Sequence, residues 1–178
     1  LDQTTRNQLT AEAQFMRAYA YFYLVQLYGD IPMPTKVIVD NNPASLRLPR
    51  TPQAEIYKLI LSDLTFAAQN LPDKAPVTGR VYKLVASALL SKVYLTMAGS
   101  PMKQTAYYKN AKEEALKVIN SGLFALVDDY ADVFHHTSYT KESIWEKSYV
   151  ISNGGNPLQG ATGTADTYRP LPVSYTHL

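Results

Sequence analysis

Apolar side chains recur along most of this chain at three- and four-residue steps, the spacing that stacks them on one side of an α-helix. The strongest run is Glu12 to Pro34, EAQFMRAYAYFYLVQLYGDIPMP. One face carries Phe15, Ala18, Phe22 and Val25; a second carries Met16, Tyr19, Tyr23 and Leu27. Two apolar faces predict a helix packed between neighbours, not one lying on a surface. Gly29 supplies a C-terminal stop, and Pro32 and Pro34 forbid continuation.

Three more helices follow from the same pattern. Thr35 to Arg50, rich in Pro, Asn and Asp, reads as an irregular crossing. Thr51 and Pro52 then mark a helix start, with a hydroxyl at the N-cap and proline at the first helical position. Glu55 favours the positive end of that helix. Its inward stripe is Ile56, Ile60, Leu64, Ala67 and Leu71, ending before Pro72. After a loop from Asp73 to Gly79, a third helix points Val85, Ala86, Leu89, Leu90, Val93 and Met97 inward. Small residues at Ala86, Ala88 and Ser91 permit close helix approach. Gly99-Ser100-Pro101 stops it. A fourth helix, about Ala106 to Ser121, is expected to bury Tyr108, Ala111, Ala115, Val118 and Ile119 before Gly122 caps it.

ALLSKVYLTMAG followed by YYKNAKEEALKVI reads like the two halves of a tetratricopeptide unit, with an aromatic and a Gly closing the first helix and Ala positions in the second. The first two helices form a looser pair with a long insertion. Beyond Gly122 the character changes. Ile144 to Val150 alternates in the manner of a short strand, Ser152 to Thr164 is Gly-, Asn- and Thr-rich loop, and Tyr168 to Leu178 fits no pattern. The expected architecture is therefore mainly α: helical hairpins over residues 1–122, a loop-rich segment with a short strand over 123–167, and an unassigned tail over 168–178.

Composition changes this picture little. A chain of 178 residues fits one domain, and 46% apolar with 18% charged residues is ordinary for a globular protein. Fourteen tyrosines stand out, and their spread over helices and loops favours packing. A net charge of +2 without a clustered basic stripe argues against nucleic acid. No apolar run approaches the roughly 20 residues needed to cross a bilayer. With no cysteine, disulfides and thiolate metal sites are excluded.

The search for chemistry returns no catalytic residue and no metal ligand. His135 and His136 are adjacent and have no carboxylate at a zinc-motif spacing. Asp128, Asp129 and Asp132 lack the alternating oxygen ligands, central Gly and closing Glu of a calcium loop. There is no nucleophile elbow, and Gly154 to Gly163 lacks phosphate-binding spacing. Arg17 lies within the most apolar helix, where an unpaired guanidinium is costly, so an internal ion pair is expected, with Asp30 or Glu12 as candidate partners. Trp145, the only tryptophan, suits either packing or stacking on a sugar ring, and packing is favoured. Arg80, beside Gly79 at a helix entrance, is left open between anion contact and loop ordering.

Three blocks together resemble the SusD/RagB family. The first is Glu12, Phe15, Arg17, Ala18, Tyr21, Phe22, Leu24, Leu27, Tyr28, Gly29, Asp30 and Pro32. GRVYKLVASALLSKVYL, Gly79 to Leu95, is similar to the second signature, although Tyr82 stands where Thr or Ala is usual. ESIWEKSYV, Glu142 to Val150, is similar to the third. The resemblance implies an α superhelix of tetratricopeptide-like hairpins with long insertions. It also implies an outer-membrane, surface-exposed lipoprotein of Bacteroidetes that captures oligo- or polysaccharide and delivers it to a TonB-dependent, SusC-like porin. Such a protein is not an enzyme, needs no cofactor, and meets the membrane only through a lipid anchor absent from this chain, which reads as an internal piece. No motif carries a ligand-binding residue onto a numbered position, and Ser152 to Arg169 is the expected ligand segment. The rival reading is a tetratricopeptide scaffold for protein–protein interaction, which would need more regular repeats.

Overall fold

The computed structural model describes residues 1–36, 42, 46–75, 79–133 and 140–146. Four α-helices order them: α1 (Gln3–Tyr28), α2 (Gln53–Asn70), α3 (Lys83–Ala98) and α4 (Tyr107–Ile119), followed by a 3-10 turn over Tyr130–Val133. α1 packs along α2 and α3 along α4, and the two pairs join chiefly through α2 against α3. This is the mainly helical, paired architecture expected from the pattern.

α1 is longer than its apolar pattern. It runs for 26 residues, roughly 39 Å at the helical rise, and begins nine residues before Glu12. Its first turn is polar, and what starts it is Asp2, whose carboxylate accepts from the Thr5 N–H at 2.8 Å. At the other end Gly29 adopts φ +66°, a conformation that strains any residue with a Cβ. Its N–H closes the helix on the Val25 carbonyl at 2.9 Å.

The buried face of α1, Phe15, Ala18, Phe22 and Val25, meets Ile56, Ile60 and Leu64 of α2 in a single core that continues into Val85, Leu89 and Val93 of α3. The second apolar face behaves differently. Met16, Tyr23 and Leu27 are exposed, so among the described residues α1 is covered on one side only. α3 is the central helix, with nine buried positions. Its small residues allow close approach as expected: the Ser91 hydroxyl donates to the Ala111 carbonyl of α4 at 2.8 Å, and Tyr94 stacks on Tyr107. α4 buries only Ala111 and Val118; Tyr108 and Ile119 point outward, because just one side of this helix has a neighbour.

Two local expectations are corrected. Thr51 does not cap α2. Its N–H instead bonds the Ile31 carbonyl at 2.8 Å in an isolated antiparallel bridge, and the N-cap residue is Pro52. Ile144 to Glu146 form no strand, because Trp145 and Ile144 turn into the helical core instead of pairing with a sheet edge. Residues 147–150, the rest of the expected strand, lie outside the described residues, as do 152–169 and 168–178.

Candidate functional site

The three sequence blocks converge in space. Phe15 and Tyr19 of α1 meet the indole of Trp145 edge-on, with ring centroids 5.6 and 5.4 Å away. The indole N–H donates to the Gly79 carbonyl at 3.0 Å. Gly79 sits at φ +90°, which turns the chain into α3 and presents that carbonyl. Next to it the Arg80 guanidinium pairs with the Glu12 carboxylate of α1. Residues 66 and more positions apart in the chain are thus clasped at one junction. Trp145 is 9% exposed, with its N–H bonded and its ring held by other rings. That is packing. Trp145 also lines a small depression of about 230 Å³, together with Gly79, Arg80, Tyr82 and Ile144.

Arg17 resolves in the same sense but with a different partner. Its Nε and terminal nitrogen donate to both oxygens of Asp63 on α2, each at 2.7 Å. The Asp63 side chain is 3% exposed while Arg17 keeps 34%, so the fork shields a buried carboxylate and reaches toward water behind it. The hydrogen bonds it donates to Asp63 hold the Arg17 guanidinium above its usual range, against a smaller opposing effect of burial. Neither proposed partner is used, and each has another task. Glu12 holds Arg80. Asp30 reaches across to α2, where its carboxylate accepts from the Gln53 N–H at 2.9 Å and takes the capping role expected of Thr51. The Tyr21 hydroxyl donates to the Pro34 carbonyl at 2.9 Å, and burial pushes that phenol upward. Sequence reasoning missed Asp63 altogether. Its only signal is a carboxylate on the inward stripe of an otherwise apolar helix face, one position before Leu64.

A groove of about 500 Å³ lies between α2, α3 and α4. Ser87, buried at its floor, Tyr94 and Glu114 line it, with Lys83 and Lys117 at the rim. Both lysines are engaged, Lys83 with Asp73 and Lys117 with Glu114 at 2.7 and 2.6 Å. Burial raises the Tyr94 phenol, and the Glu114 carboxylate adds to that shift. Asp129 accepts from the Ala131 N–H at 2.9 Å, which makes the acidic stretch a local turn. His135 and His136 lie outside the described residues. Among those described, no group of acidic and histidine side chains is placed to hold a metal ion, and no helix is long and apolar enough to cross a membrane.

The family model described as SusD-like, starch-binding associating with outer membrane, matches residues 1–95, more than half of the chain. The chain belongs to the SusD-like family. A SusD-like protein, P2, of Formosa agariphila is 32% identical over 161 residues, 86% of this chain and 30% of that protein. The crystal structure of a SusD superfamily protein from Parabacteroides distasonis is 40% identical, with a TM-score of 0.68, over 75% of this chain and 28% of that one. A crystal structure described as containing xylogluco-oligosaccharide is 27% identical with a TM-score of 0.75, over 85% of this chain and 31% of that one. The SusD-like chain therefore spans about 30% of the length of the curated relatives it matches.

Proposed function

We propose that this SusD-like chain is the helical scaffold of a non-catalytic binding protein that captures glycan at the cell surface and hands it to a TonB-dependent, SusC-like porin. Family membership supports glycan as the ligand class, as does the similar structure containing xylogluco-oligosaccharide. The observation that assigns a scaffold role is the fate of the motif residues. Arg17, Arg80 and Trp145, the side chains best suited to grip a ligand, are engaged with Asp63, Glu12 and Gly79. Side chains engaged in this way tie the helices and loops of the fold together, which is the work of a scaffold. Sugar contacts then fall to segments outside this junction, and 152–169 is the segment we assign within the chain. Attachment at the outer-membrane surface is through a lipid anchor elsewhere in the protein.

Calorimetry of the complete protein against a panel of polysaccharides, with product analysis of the same mixtures, tests this reading. Binding without cleavage is the expected result. Release of shorter sugars would overturn the non-catalytic assignment, and silence across the panel would overturn glycan as the ligand.

A further inference from the structure

One serine of α3 has no task within the fold. Of the helix's aliphatic hydroxyls, Ser91 donates to the Ala111 carbonyl and Thr96 to the Lys92 carbonyl. The third, Ser87, is 4% exposed and bonds to no other described residue. A serine inside a helix ordinarily finds a backbone carbonyl one turn back. Ser87 instead lines the groove between α2, α3 and α4.

Glu114, on the α4 wall of that groove, repeats the deficit. One carboxylate oxygen accepts from Lys117 at 2.6 Å, and the other is buried with no hydrogen-bond partner among the described residues. A buried polar atom left unbonded is costly. This oxygen has almost no free surface, so the donor it lacks is a single small group such as a hydroxyl. The groove holds about 500 Å³, within the range of about 300–1,000 Å³ typical of small-molecule sites.

The remaining lining selects the ligand. Lys83 is paired with Asp73 and Lys117 with Glu114, so the groove favours neither an anion nor a cation. Gln69 offers both a donor and an acceptor, while Leu84 and Leu90 supply apolar surface. A neutral molecule with many hydroxyls and apolar C–H faces matches this mixture.

We propose that the groove is a second carbohydrate site, taking about one or two units of a neutral oligosaccharide and separate from segment 152–169. For its ligand class the inference rests on the glycan-capture reading. The groove shares no lining residue with the depression at Trp145, so that junction keeps its structural role.

Hydroxyl-radical footprinting of the complete protein tests this, with maltotriose, cellotriose and xylotriose as probes and calorimetry of the same mixtures. Tyr94, half-buried in the groove wall, should be oxidised about three-fold more slowly when at least one of these sugars is bound. The double variant Ser87→Ala with Gln69→Ala removes two polar groups without adding bulk. It should lose that protection while its circular dichroism and urea midpoint stay close to the parent's. Sugar binding that leaves Tyr94 unprotected, or protection that survives in the double variant, overturns the groove and leaves glycan capture standing. Tyr94 oxidised as slowly as buried Tyr57 before any sugar is added also overturns it, because the groove is then closed by the rest of the protein. Silence with all three sugars and with the polysaccharide panel overturns both readings.

Discussion

The two helical pairs are held together by different means. Between α1 and α2 the contact is locked by polar groups at fixed points: the Arg17 fork on Asp63 and the Asp30 cap on Gln53. Between α3 and α4 small residues let the backbones approach until a serine hydroxyl reaches a mid-helix carbonyl and two tyrosines stack. The first pair is joined through a long connection, from Gly29 to Pro52, and directional bonds fix its register. The second is joined by a short turn and packs by shape. The residues that mark the family most clearly thus belong to the pair that needs a lock.

Breaking the lock should cost most. Arg17→Met leaves Asp63 buried and uncompensated, and a loss of about 3–5 kcal/mol is expected in urea unfolding followed by circular dichroism. The double variant Arg17→Met with Asp63→Leu should recover most of it, because both charges are gone. A single variant as stable as the parent would mean the pair is ornamental. Overpacking the shape-fitted pair is the next test. Ser91→Val should cost about 1–3 kcal/mol by pushing α4 away from α3. If it costs nothing, the close approach there is not under tension from packing. Removing the cap by Asp30→Ala should cost only about 1 kcal/mol, read as a small shift in the urea midpoint.

The smallest effect is on pH. Burial raises the Tyr57, Tyr82 and Tyr94 phenols above the ordinary value of 10.0. The folded chain therefore holds protons that the unfolded chain releases. Stability is complete below about pH 10 and falls as pH rises beyond it. Two of the three tyrosines lie on the α3–α4 side of the molecule, so Tyr94→Phe should flatten this alkaline loss in unfolding curves.

Much of this was legible in the chain, and what was hidden was hidden for physical reasons. The stripes of α2 and α3 could be read because both helices lie between neighbours and apolar residues mark the contacts. The start of α1 could not, since a polar first turn held by Asp2 carries no hydrophobic period. The need for a partner to Arg17 followed from the cost of a buried charge, but its identity did not. Asp63 is 46 positions away, and nearness in sequence favoured Glu12 and Asp30. Outward Tyr108 and Ile119 show the same limit from the other side: a pattern shows that a face is apolar, not what covers it. No motif carries a ligand-binding residue onto a numbered position, and under the proposed function the motif residues Arg17, Arg80 and Trp145 serve the scaffold.

That last point is the central claim, and Trp145 tests it most directly. Calorimetry should be run on the complete protein and on Trp145→Phe, using the polysaccharide that the panel selects. The substitution keeps an aromatic ring in the core but removes the N–H bonded to Gly79, so a modest loss of stability of about 1 kcal/mol is expected. Glycan affinity should stay within about two-fold of the parent, since the indole serves the fold and not the sugar. An affinity loss of about ten-fold or more in a fully folded variant would place Trp145 in the binding site and contradict the account.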